Sequence, residues 1–399
     1  MDFSRTVANS SQVEELVNLG ELPFHIELCD SPHNRTAPDT LPFVAGMRPE
    51  IGLVVQVPNK MVERYLEAAY CRGSIVGSPM SEDGIGRRYA DDFVRFLSEA
   101  MEEDTFAESR LLEIGCGNGY LLWRLKMLGA EVTGIEPGEQ GLAASQQYEV
   151  NIVRDTFPGP FNESAEKFDV IVHYAVLEHV LEPIQFLEFQ RQLLSSAGIV
   201  AFAVPDCSEY IKAGDVSMFF HEHWNYFTPW SLKTIVERVG LRPLRIERSK
   251  FGGLLYVLAG IEGTSTQASF DRDDIENLKQ QIEEGVRHTY EFFKAAESHG
   301  KSTGVFCAAR IINLLQIVQP KKLPRFFDDD PRLQGKYYPP HDRRVESRAT
   351  LKKSPVDELI VMSRTFGGKL RSEFVQEEKL KATRITLPDE LLGGRKFVL

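Results

Sequence analysis

The chain has 399 residues, more than one ordinary core accommodates, so two or three compact units are expected. Its 46 basic and 58 acidic residues give a formal net charge of −12, which disfavours binding to nucleic acid or to an anionic membrane through a general positive field. No apolar run is long enough to span a bilayer, and the N-terminus lacks the apolar core of a secretion signal, so a cytoplasmic protein is expected. The five cysteines form no CxxC pair, which favours reduced thiols over disulfides.

The predicted elements fall into three groups along the chain. Residues 1–85 are rich in turn formers and hold short strand-like runs such as IGLVVQV, which predicts a small N-terminal domain. Over residues 86–262 apolar runs, among them RLLEIG, EVTGIEP, FDVIVHY and GIVAFAVP, alternate with helical segments, which predicts an α/β domain with a mostly parallel sheet. A long charged helix, DRDDIENLKQQIEEGVRHTYEFFKAAESHG, follows as a linker or brace. The alternation then restarts, which predicts a second, smaller α/β domain over residues 263–399.

The most informative segment is LLEIGCGNGYLLWRLKMLGAEVTGIEPG, residues 111–138. A strand ends in Glu113, a loop with Gly115, Gly117 and Gly119 turns the chain, and a helix begins at Tyr120. Glycines there let the backbone come close to a ligand. A dinucleotide would need a small residue at position 120, and Glu113 would repel its pyrophosphate. S-adenosylmethionine (SAM) carries a sulfonium and an ammonium instead, so the acid beside the loop favours SAM.

Acidic residues after the next two strands extend the predicted SAM site. Glu136 ends the second strand and is placed to accept hydrogen bonds from both ribose hydroxyls. Asp155, in VRDTF, follows the third strand and is placed to contact the adenine amino group. The combination of acid, glycine loop, helix, strand and second acid predicts a SAM-binding Rossmann-like domain. A degenerate fold that binds nothing is the alternative.

This combination resembles the first motif of class I SAM-dependent methyltransferases. FDVIVHYAVLEHVLEPIQFL is similar to that family's fourth strand and following helix, which implies that His173 and Tyr174 face the cofactor. Residues 177–180 match the family's common LEHV element, in which His179 either orders the loop or transfers protons. The cofactor-binding residues expected from the loop and the resemblance are Glu113, Gly115, Gly117, Gly119, Tyr120, Glu136, Asp155, His173 and Tyr174.

The stretch FFHEHWNYFT, residues 219–228, places two histidines on either side of a glutamate. Three uses stay open from the residues alone. In an extended strand His221 and His223 would project to one face and could approach one metal ion. His223 could instead act as a general base, since an imidazole titrates near neutrality, with Glu222 orienting it or polarising the substrate. The cluster could also be structural. HxH alone is a weak metal signal, so no metal is predicted.

Most of the chain resembles the sugar C-methyltransferases of deoxysugar biosynthesis, a more specific family. The similar pieces are NLGELPF, the glycine loop, HEHWNYFTPWSLKTIVERVGL, FFDDDPRLQGKYYPP and DELIVMSR. The resemblance implies an N-terminal domain, a SAM-binding domain and a C-terminal Rossmann-like domain. It also implies a nucleotide-linked 4-keto-6-deoxyhexose as substrate, methylated on a ring carbon beside the ketone, with Glu222 and His223 as the catalytic pair.

The sequence departs from that family in its N-terminal domain. The four zinc-binding cysteines are absent, since residues 1–85 contain only Cys29 and Cys71, so no zinc is expected. Tyr70 is retained, but Arg72 stands where a second tyrosine is expected, which bears on the identity of the substrate. The C-terminal segment GVFCAARIIN has no glycine-rich loop, so a second nucleotide site is not expected. The family implies that this domain helps to enclose the substrate, with Arg310 facing its pyrophosphate.

The sequence thus predicts a SAM-dependent methyltransferase acting on a small molecule, with no nucleic-acid or membrane partner. The predicted catalytic residues are His223, Glu222 and His179. The predicted substrate-binding residues are Tyr70, Arg72, His221, Tyr226 and Arg310. An O- or N-methyltransferase on the same scaffold and a non-catalytic SAM-binding or scaffold protein are the alternatives.

Overall fold

The computed structural model describes residues 13–24, 29–33, 37–70, 85–101, 106–162, 165–261 and 272–394. The strands are β1 Glu14–Pro23, β2 Thr40–Arg48, β3 Leu53–Gln56, β4 Arg110–Ile114, β5 Glu131–Ile135, β6 Asn151–Val153, β7 Phe168–Tyr174, β8 Leu194–Pro205, β9 Asn225–Tyr226, β10 Arg242–Arg248, β11 Leu254–Gly260, β12 Thr303–Phe306, β13 Arg325–Phe327, β14 Val345–Glu346, β15 Glu358–Val361 and β16 Arg384–Thr386. The α-helices are α1 Lys60–Tyr70, α2 Ile85–Ala100, α3 Tyr120–Lys126, α4 Gln140–Tyr148, α5 Pro183–Leu193, α6 Ser208–Ala213, α7 Pro229–Arg238, α8 Arg272–Ser298, α9 Ile312–Val318, α10 Arg348–Lys353, α11 Gly367–Gln376 and α12 Pro388–Leu391.

The central sheet has seven strands in the order β10-β11-β8-β7-β4-β5-β6. Its strands run parallel except β11, which is antiparallel to both of its neighbours. The chain moves outward from β4 to β6 and then returns to β7 on the other side of β4. This reversal opens a crevice at the carboxyl ends of β4 and β7, where ligands bind in open α/β sheets. Strands buried on both faces explain continuous apolar runs such as Val170–Val172.

The N-terminal sheet is antiparallel, in the order β1-β2-β3-β9. Its fourth strand, β9, lies far beyond residue 85 in the sequence and belongs to the HEH stretch. Val54 pairs with Tyr226, and Val55 pairs with Asn225. The N-terminal sheet therefore holds the segment that carries His223.

The C-terminal sheet is entirely parallel, in the order β14-β13-β12-β15-β16. It corresponds to the second α/β unit that the sequence predicts. The long helix α8 turns an apolar stripe of Ile275, Leu278 and Ile282 into a core that it shares with this sheet. That core also contains Phe43 of the N-terminal sheet and Phe219. Among the described residues, no helix has both the length and the apolar character needed to cross a membrane.

Candidate active site

The glycine loop follows β4 at the crevice and has the backbone shape that the sequence predicts. Gly115 and Gly119 have φ values of 68° and 71°, in the left-handed region that favours glycine. A Cβ atom on Gly115 would stand 2.7 Å from Val176 Cγ2, and one on Gly119 would stand 2.9 Å from Ala144 Cβ. The loop thus depends on glycine at both positions, because Val176 and Ala144 pack directly against its backbone.

Glu113 directly precedes this loop and is buried, with 2% of its surface exposed. Its Oε2 atom has no hydrogen-bond partner among the described residues. Burial raises the pKa of Glu113 well above its usual value, and the nearby Glu136 adds to the rise. Since a buried polar atom without a partner is costly, this position favours a cationic ligand group.

Glu136 directly follows β5 and holds the glycine loop in place from that strand. Its carboxylate accepts hydrogen bonds from Gly117 N at 2.9 Å and from Gly138 N at 2.8 Å. Asp155 follows β6, as the sequence predicts, and its exposed carboxylate accepts a bond of 2.7 Å from Thr156 N. Contacts of Glu136 with ribose hydroxyls and of Asp155 with adenine stay predictions.

Tyr120 begins α3, and its side chain is directed to α2. Its hydroxyl donates to the carboxylate of Asp91, with oxygen distances of 3.1 and 3.2 Å. The guanidinium of Arg87 lies 4.8 Å from the centre of its ring. The residue therefore braces the start of α3 against α2, and its contact with a cofactor stays a prediction.

His173 lies inside the central sheet, which corrects the expectation that it faces the cofactor. Its ring is 0% exposed and stacks on Phe202 with centroids 4.7 Å apart. Burial lowers the pKa of His173 to about 3, so the ring is neutral. Tyr174, on the opposite face of β7, contacts Phe93 edge-on with centroids 5.6 Å apart, and its cofactor contact stays a prediction. Of the two residues at the end of β7, Tyr174 is therefore partly exposed and His173 is not.

The two histidines of the HEH stretch lie apart. Residues 221–223 belong to a turn, and extended structure begins only at Asn225. His221 packs toward the N-terminal sheet, whereas His223 meets His179 edge-on with ring centroids 4.8 Å apart. His221 and His223 therefore do not project to one face, and the possibility that the two histidines share a metal ion is wrong.

His221 is a core residue, which corrects its assignment as a substrate contact. Its ring packs on Phe24 and Phe43, with centroids 5.5 and 5.3 Å away. Its Nε2 atom lies 3.3 Å from the carbonyl oxygen of Leu22. Burial lowers the pKa of His221 to about 4. The residue docks the turn on the N-terminal sheet.

Tyr226 is 0% exposed, so it too is a structural residue rather than a substrate contact. Its hydroxyl donates to the carbonyl oxygens of Phe220 and His223, at 3.1 and 3.0 Å, and accepts from Phe220 N at 3.2 Å. These bonds close the turn on itself. The side chain that the turn leaves half-buried is His223.

The LEHV element brings a second pair of residues to His223. Glu178 and His179 lie on a short 3₁₀ helix, Leu177–His179. Nitrogen and oxygen atoms of Glu178, His179 and His223 lie within 4.8 Å of one another. His179 Nδ1 lies 2.9 Å from the carbonyl oxygen of Glu222. The structure thus brings the side chains of His179 and His223 together with Glu178, and it joins Glu222 to this group through its backbone carbonyl.

Burial sets the protonation of this group. It lowers the pKa of His179 to about 4. It lowers the pKa of His223 well below its usual value, with smaller contributions from His179 and Arg310. It raises the pKa of both Glu178 and Glu222 to about 8. Burial therefore favours the neutral form of both imidazoles and of both carboxyl groups.

The C-terminal domain contributes Arg310 to the same region. Arg310 ends a 3₁₀ helix that follows β12, and its guanidinium lies 5.1 Å from the centre of the Phe220 ring. The side chain is exposed, and its charge acts on His223. Tyr70 is the last residue of α1, but its side chain and all of Arg72 lie outside the described part of the chain.

Sequence reasoning gave no role to Glu178 or Phe220. Both stand inside segments that it singled out, LEHV and FFHEHWNYFT. The signal for Glu178 was a carboxyl group next to His179 within an apolar segment. Its backbone carbonyl oxygen accepts a hydrogen bond of 2.7 Å from the backbone N–H of Trp224, a residue far away in the sequence.

Known proteins are similar to the part of the chain that forms the central sheet. A family profile described as a methyltransferase domain matches residues 83–246. A ubiquinone biosynthesis O-methyltransferase from Ruegeria sp. (strain TM1040) is 30% identical over 194 residues, which are 45% of this chain and 77% of that protein. The chain belongs to the SAM-dependent methyltransferases. The protein of the same name from Ruegeria pomeroyi is 31% identical over 182 residues, 42% of this chain and 72% of that protein.

Solved methyltransferase structures also align with this chain. A SAM-dependent methyltransferase from Mesorhizobium loti has a TM-score of 0.37 and 15% identity, covering 43% of this chain and 99% of that one. Magnesium protoporphyrin IX methyltransferase from Synechocystis PCC 6803, with bound SAM, has a TM-score of 0.38 and 13% identity, covering 51% of this chain and 98% of that one. The Rossmann-like α/β fold expected for a class I methyltransferase is confirmed.

The residues of the crevice fit the cofactor of this methyltransferase family. SAM carries an ammonium and a sulfonium, and the partnerless Oε2 of Glu113 supplies a buried acceptor beside the loop. Gly117, also at a positive φ, is open beside its backbone, since the nearest atom to a Cβ there would be Gln140 Nε2 at 3.8 Å. Glu113, Gly115, Gly117, Gly119 and Glu136 are the residues that would hold SAM, which supplies an electrophilic methyl group.

Proposed function

We propose that this methyltransferase transfers a methyl group to a carbon beside a ketone, on a nucleotide-linked 4-keto-6-deoxy sugar. One observation carries the proposal. The HEH turn places His223 against the ring of His179, with centroids 4.8 Å apart, directly after the buried Glu222, and burial favours the neutral base on His223 and the neutral acid on Glu222. Carbon beside a ketone becomes nucleophilic only when a base removes its proton and an acid stabilises the oxygen of the enolate.

Each of the two residues has a defined part in this chemistry. His223 accepts the proton from the carbon, which leaves an electron pair shared between that carbon and the ketone oxygen. Glu222 donates a hydrogen bond to that oxygen, as a buried carboxylic acid does when its apolar surroundings keep it protonated. His179 holds the pair in place, because its Nδ1–H donates to Glu222 O at 2.9 Å.

The sugar and its nucleotide are supported by the sequence resemblance and by the position of Arg310. This guanidinium stands beside the turn that carries His223 and is exposed. Arginine forms strong hydrogen bonds with phosphate oxygens, so a substrate with a pyrophosphate would place its charge there. Because the net charge of the protein is −12, an anionic substrate requires a local positive charge such as this one.

O-methylation is the second candidate, and the names of the relatives favour it. The proteins from Ruegeria are ubiquinone biosynthesis O-methyltransferases. They match less than half of this chain. A hydroxyl acceptor is already nucleophilic, so positioning can suffice and loss of His223 would cost less.

Mass spectrometry in deuterated water tests the proposal. A 4-keto-6-deoxy nucleotide sugar is incubated with the enzyme, with and without SAM. We expect methyl gain with SAM, and deuterium entering the ring carbon faster with enzyme than without. His223→Ala should abolish both signals, and His299→Ala, at an exposed site on the far end of α8, should change neither.

Each alternative gives a different result. Methyl gain without enzyme-dependent deuterium exchange would favour transfer to oxygen. No methyl gain and no exchange, despite SAM binding measured by calorimetry, would contradict the sugar as acceptor. Absence of SAM binding would contradict the methyltransferase assignment of the site itself.

A further inference from the structure

The C-terminal sheet has a crevice of its own, which the mechanism above does not use. The chain runs outward from β12 through β13 to β14 and then returns to β15 on the other side of β12. Such a reversal marks where open parallel sheets bind their ligands, at the carboxyl ends of the two neighbouring strands. No glycine-rich loop follows β12, because the strand runs into Cys307, Ala308 and Ala309. What occupies this crevice therefore indicates what the domain does.

A segment of the same chain lies in the crevice. It comprises residues 215–219, which include a short 3₁₀ helix directly before the HEH turn. Its apolar side chains share one core with residues that follow β12 and β15. Those of the segment are Val216, Met218 and Phe219, and those of the C-terminal domain are Ala308, Ile311, Ile312 and Met362. The segment thus fills the place that a ligand takes in other sheets of this kind.

Two polar side chains of the C-terminal domain hold the ends of this segment. Arg364, which follows β15, donates from Nε and Nη2 to Asp215 Oδ2, at 3.0 and 2.8 Å. Asn313, on the helix that follows β12, donates from Nδ2 to the carbonyl oxygen of Phe219. Asp215 and Asn313 are 1% and 3% exposed. Loss of either contact would leave a buried polar group without its partner, which is costly.

The contact at Phe219 continues to His223. The ring of Phe219 meets that of Tyr226 edge-on, with centroids 4.9 Å apart. The Tyr226 hydroxyl donates to the carbonyl oxygens of Phe220 and His223, at 3.1 and 3.0 Å. Asn313 therefore fixes the backbone where it enters the turn, and Tyr226 closes the turn at His223.

We propose that the C-terminal domain uses its crevice to hold the catalytic turn, and that Asn313 is a positioning residue for His223. The inference rests on the proposed function, because it takes His223 as the base, but it depends neither on the sugar nor on the nucleotide. It also accounts for a Rossmann-like sheet without a glycine-rich loop, since the chain itself occupies the crevice.

Turnover of Asn313→Leu, compared with Thr383→Val, tests the inference. Both changes replace a side chain that donates to a backbone carbonyl oxygen with an apolar one of similar size. Thr383 Oγ1 donates to Val356 O at 2.7 Å, at the amino ends of the C-terminal strands and away from the crevice. With the acceptor that proves active, Asn313→Leu should lower kcat about tenfold, the effect of one hydrogen bond. The KM of the acceptor and the Kd for SAM should stay within about twofold, and Thr383→Val should change none of these values.

Nitrogen-15 NMR of the histidine side chains tests the same contact without an acceptor. At pH 7 and without SAM, Asn313→Leu should shift the signals of His223 in the intact protein. The signals of His299, which is exposed on the far end of α8, should stay in place. If the leucine variant does not fold, Asn313→Asp takes its place, because an ionised carboxylate keeps the size of the amide but cannot donate.

The outcomes separate this inference from the proposed function. Unchanged kcat, or unchanged His223 signals, in the Asn313 variant would overturn the inference. Equal losses of kcat in the Asn313 and Thr383 variants would also overturn it, since the effect would then follow from stability alone. If the parent protein turns over no keto sugar, the proposed substrate is contradicted. The shift of the His223 signals then still decides whether Asn313 positions the turn.

Discussion

Glu113 on the cofactor side is buried and His223 on the acceptor side is half-buried, and burial shifts the pKa of each residue in the direction that favours its neutral form. The consequences are opposite. A neutral Glu113 attracts a cation weakly, so binding of a cationic ligand must draw its proton away. A neutral His223 is already a base. Burial thus weakens the attraction of Glu113 for a cation, whereas it favours the form of His223 that accepts a proton.

The two sides also differ in how they are built. The cofactor side is one sheet edge, with Glu113 and Glu136 at the ends of adjacent parallel strands. The acceptor side joins the LEHV helix, the HEH turn and Arg310 of the C-terminal domain. Changes on one side should therefore leave the other intact. Variants that separate SAM binding from turnover test this independence.

The largest effect is expected from His223→Ala. Removing the base should lower the rate of methyl transfer by about 10²- to 10⁴-fold, the range that general base catalysis contributes. The Kd for SAM should stay within about twofold, because His223 belongs to the acceptor side. Turnover by mass spectrometry and SAM binding by calorimetry measure the two sides separately. A fall in SAM affinity as large as the fall in rate would show that the sides are coupled.

Glu113→Gln should give the complementary result on the cofactor side. Loss of the carboxylate should weaken SAM binding by about 10- to 100-fold, the cost of a hydrogen bond to a charged group. Calorimetry in two buffers of different ionisation enthalpy should show protons released when SAM binds to the parent. The variant should release none from this position. Equal proton release in both proteins would contradict the raised pKa of Glu113.

Stability should change in the opposite direction. In the unfolded chain Glu113 loses its proton near its usual pKa of 4.5, whereas the folded protein retains it. Above that pH the free energy of unfolding falls by about 1.4 kcal/mol per pH unit until Glu113 ionises in the fold. Glu113→Gln lacks this decline, so without SAM it should be more stable than the parent at pH 8 and similar at pH 4.5. Urea midpoints at both pH values measure the difference.

The sequence predicted the shape of the glycine loop because the residues that form it are close in the chain. An acid, three glycines and a helix start occur within eight positions, Glu113 to Tyr120, so local backbone rules place them. Parallel alternation of strands and helices likewise predicted two of the three sheets. The third sheet was only partly predictable, since β9 comes from residues 225–226.

The acceptor side shows where such reasoning fails. His221 and Tyr226 were expected to contact the substrate, and His173 was expected to face the cofactor, but all three are buried in structural roles. What decides their roles is the packing of distant segments, such as Phe43 on His221. Glu178 was overlooked for the same reason, since its hydrogen bond with Trp224 joins residues far apart in the sequence.

Tyr226→Phe should weaken the HEH turn on the acceptor side and leave the cofactor side unchanged. The hydroxyl that bonds Phe220 and His223 is lost, which should lower the free energy of unfolding by about 1–3 kcal/mol. Turnover should fall by severalfold at unchanged SAM affinity, since the carbonyl group of His223 loses its anchor. Phe227→Leu is a matched control for a fully buried aromatic without a hydroxyl. A stable Tyr226→Phe variant with normal turnover would show that the turn is held by other contacts.

Arg310→Gln tests the contribution of the C-terminal domain. If the exposed guanidinium meets a phosphate of the acceptor, KM should rise about two- to fivefold and the change should shrink in high salt, as for exposed ion pairs. Arg343→Gln, also exposed in this domain, is the control. An uncharged acceptor would make KM insensitive to both substitutions.

Asp155→Asn should have the smallest effect, and it tests whether the cofactor side extends as far as Asp155. The carboxylate is exposed and already accepts a hydrogen bond from Thr156 N. The amide oxygen of asparagine can also accept from an adenine amino group, so the loss of charge should cost little. The Kd for SAM should rise by about two- to threefold, well below the effect of Glu113→Gln. The difference follows from burial, because water competes for Asp155 but not for Glu113. Equal losses from the two variants would mean that SAM buries Asp155 when it binds, and that the cofactor side closes around its ligand.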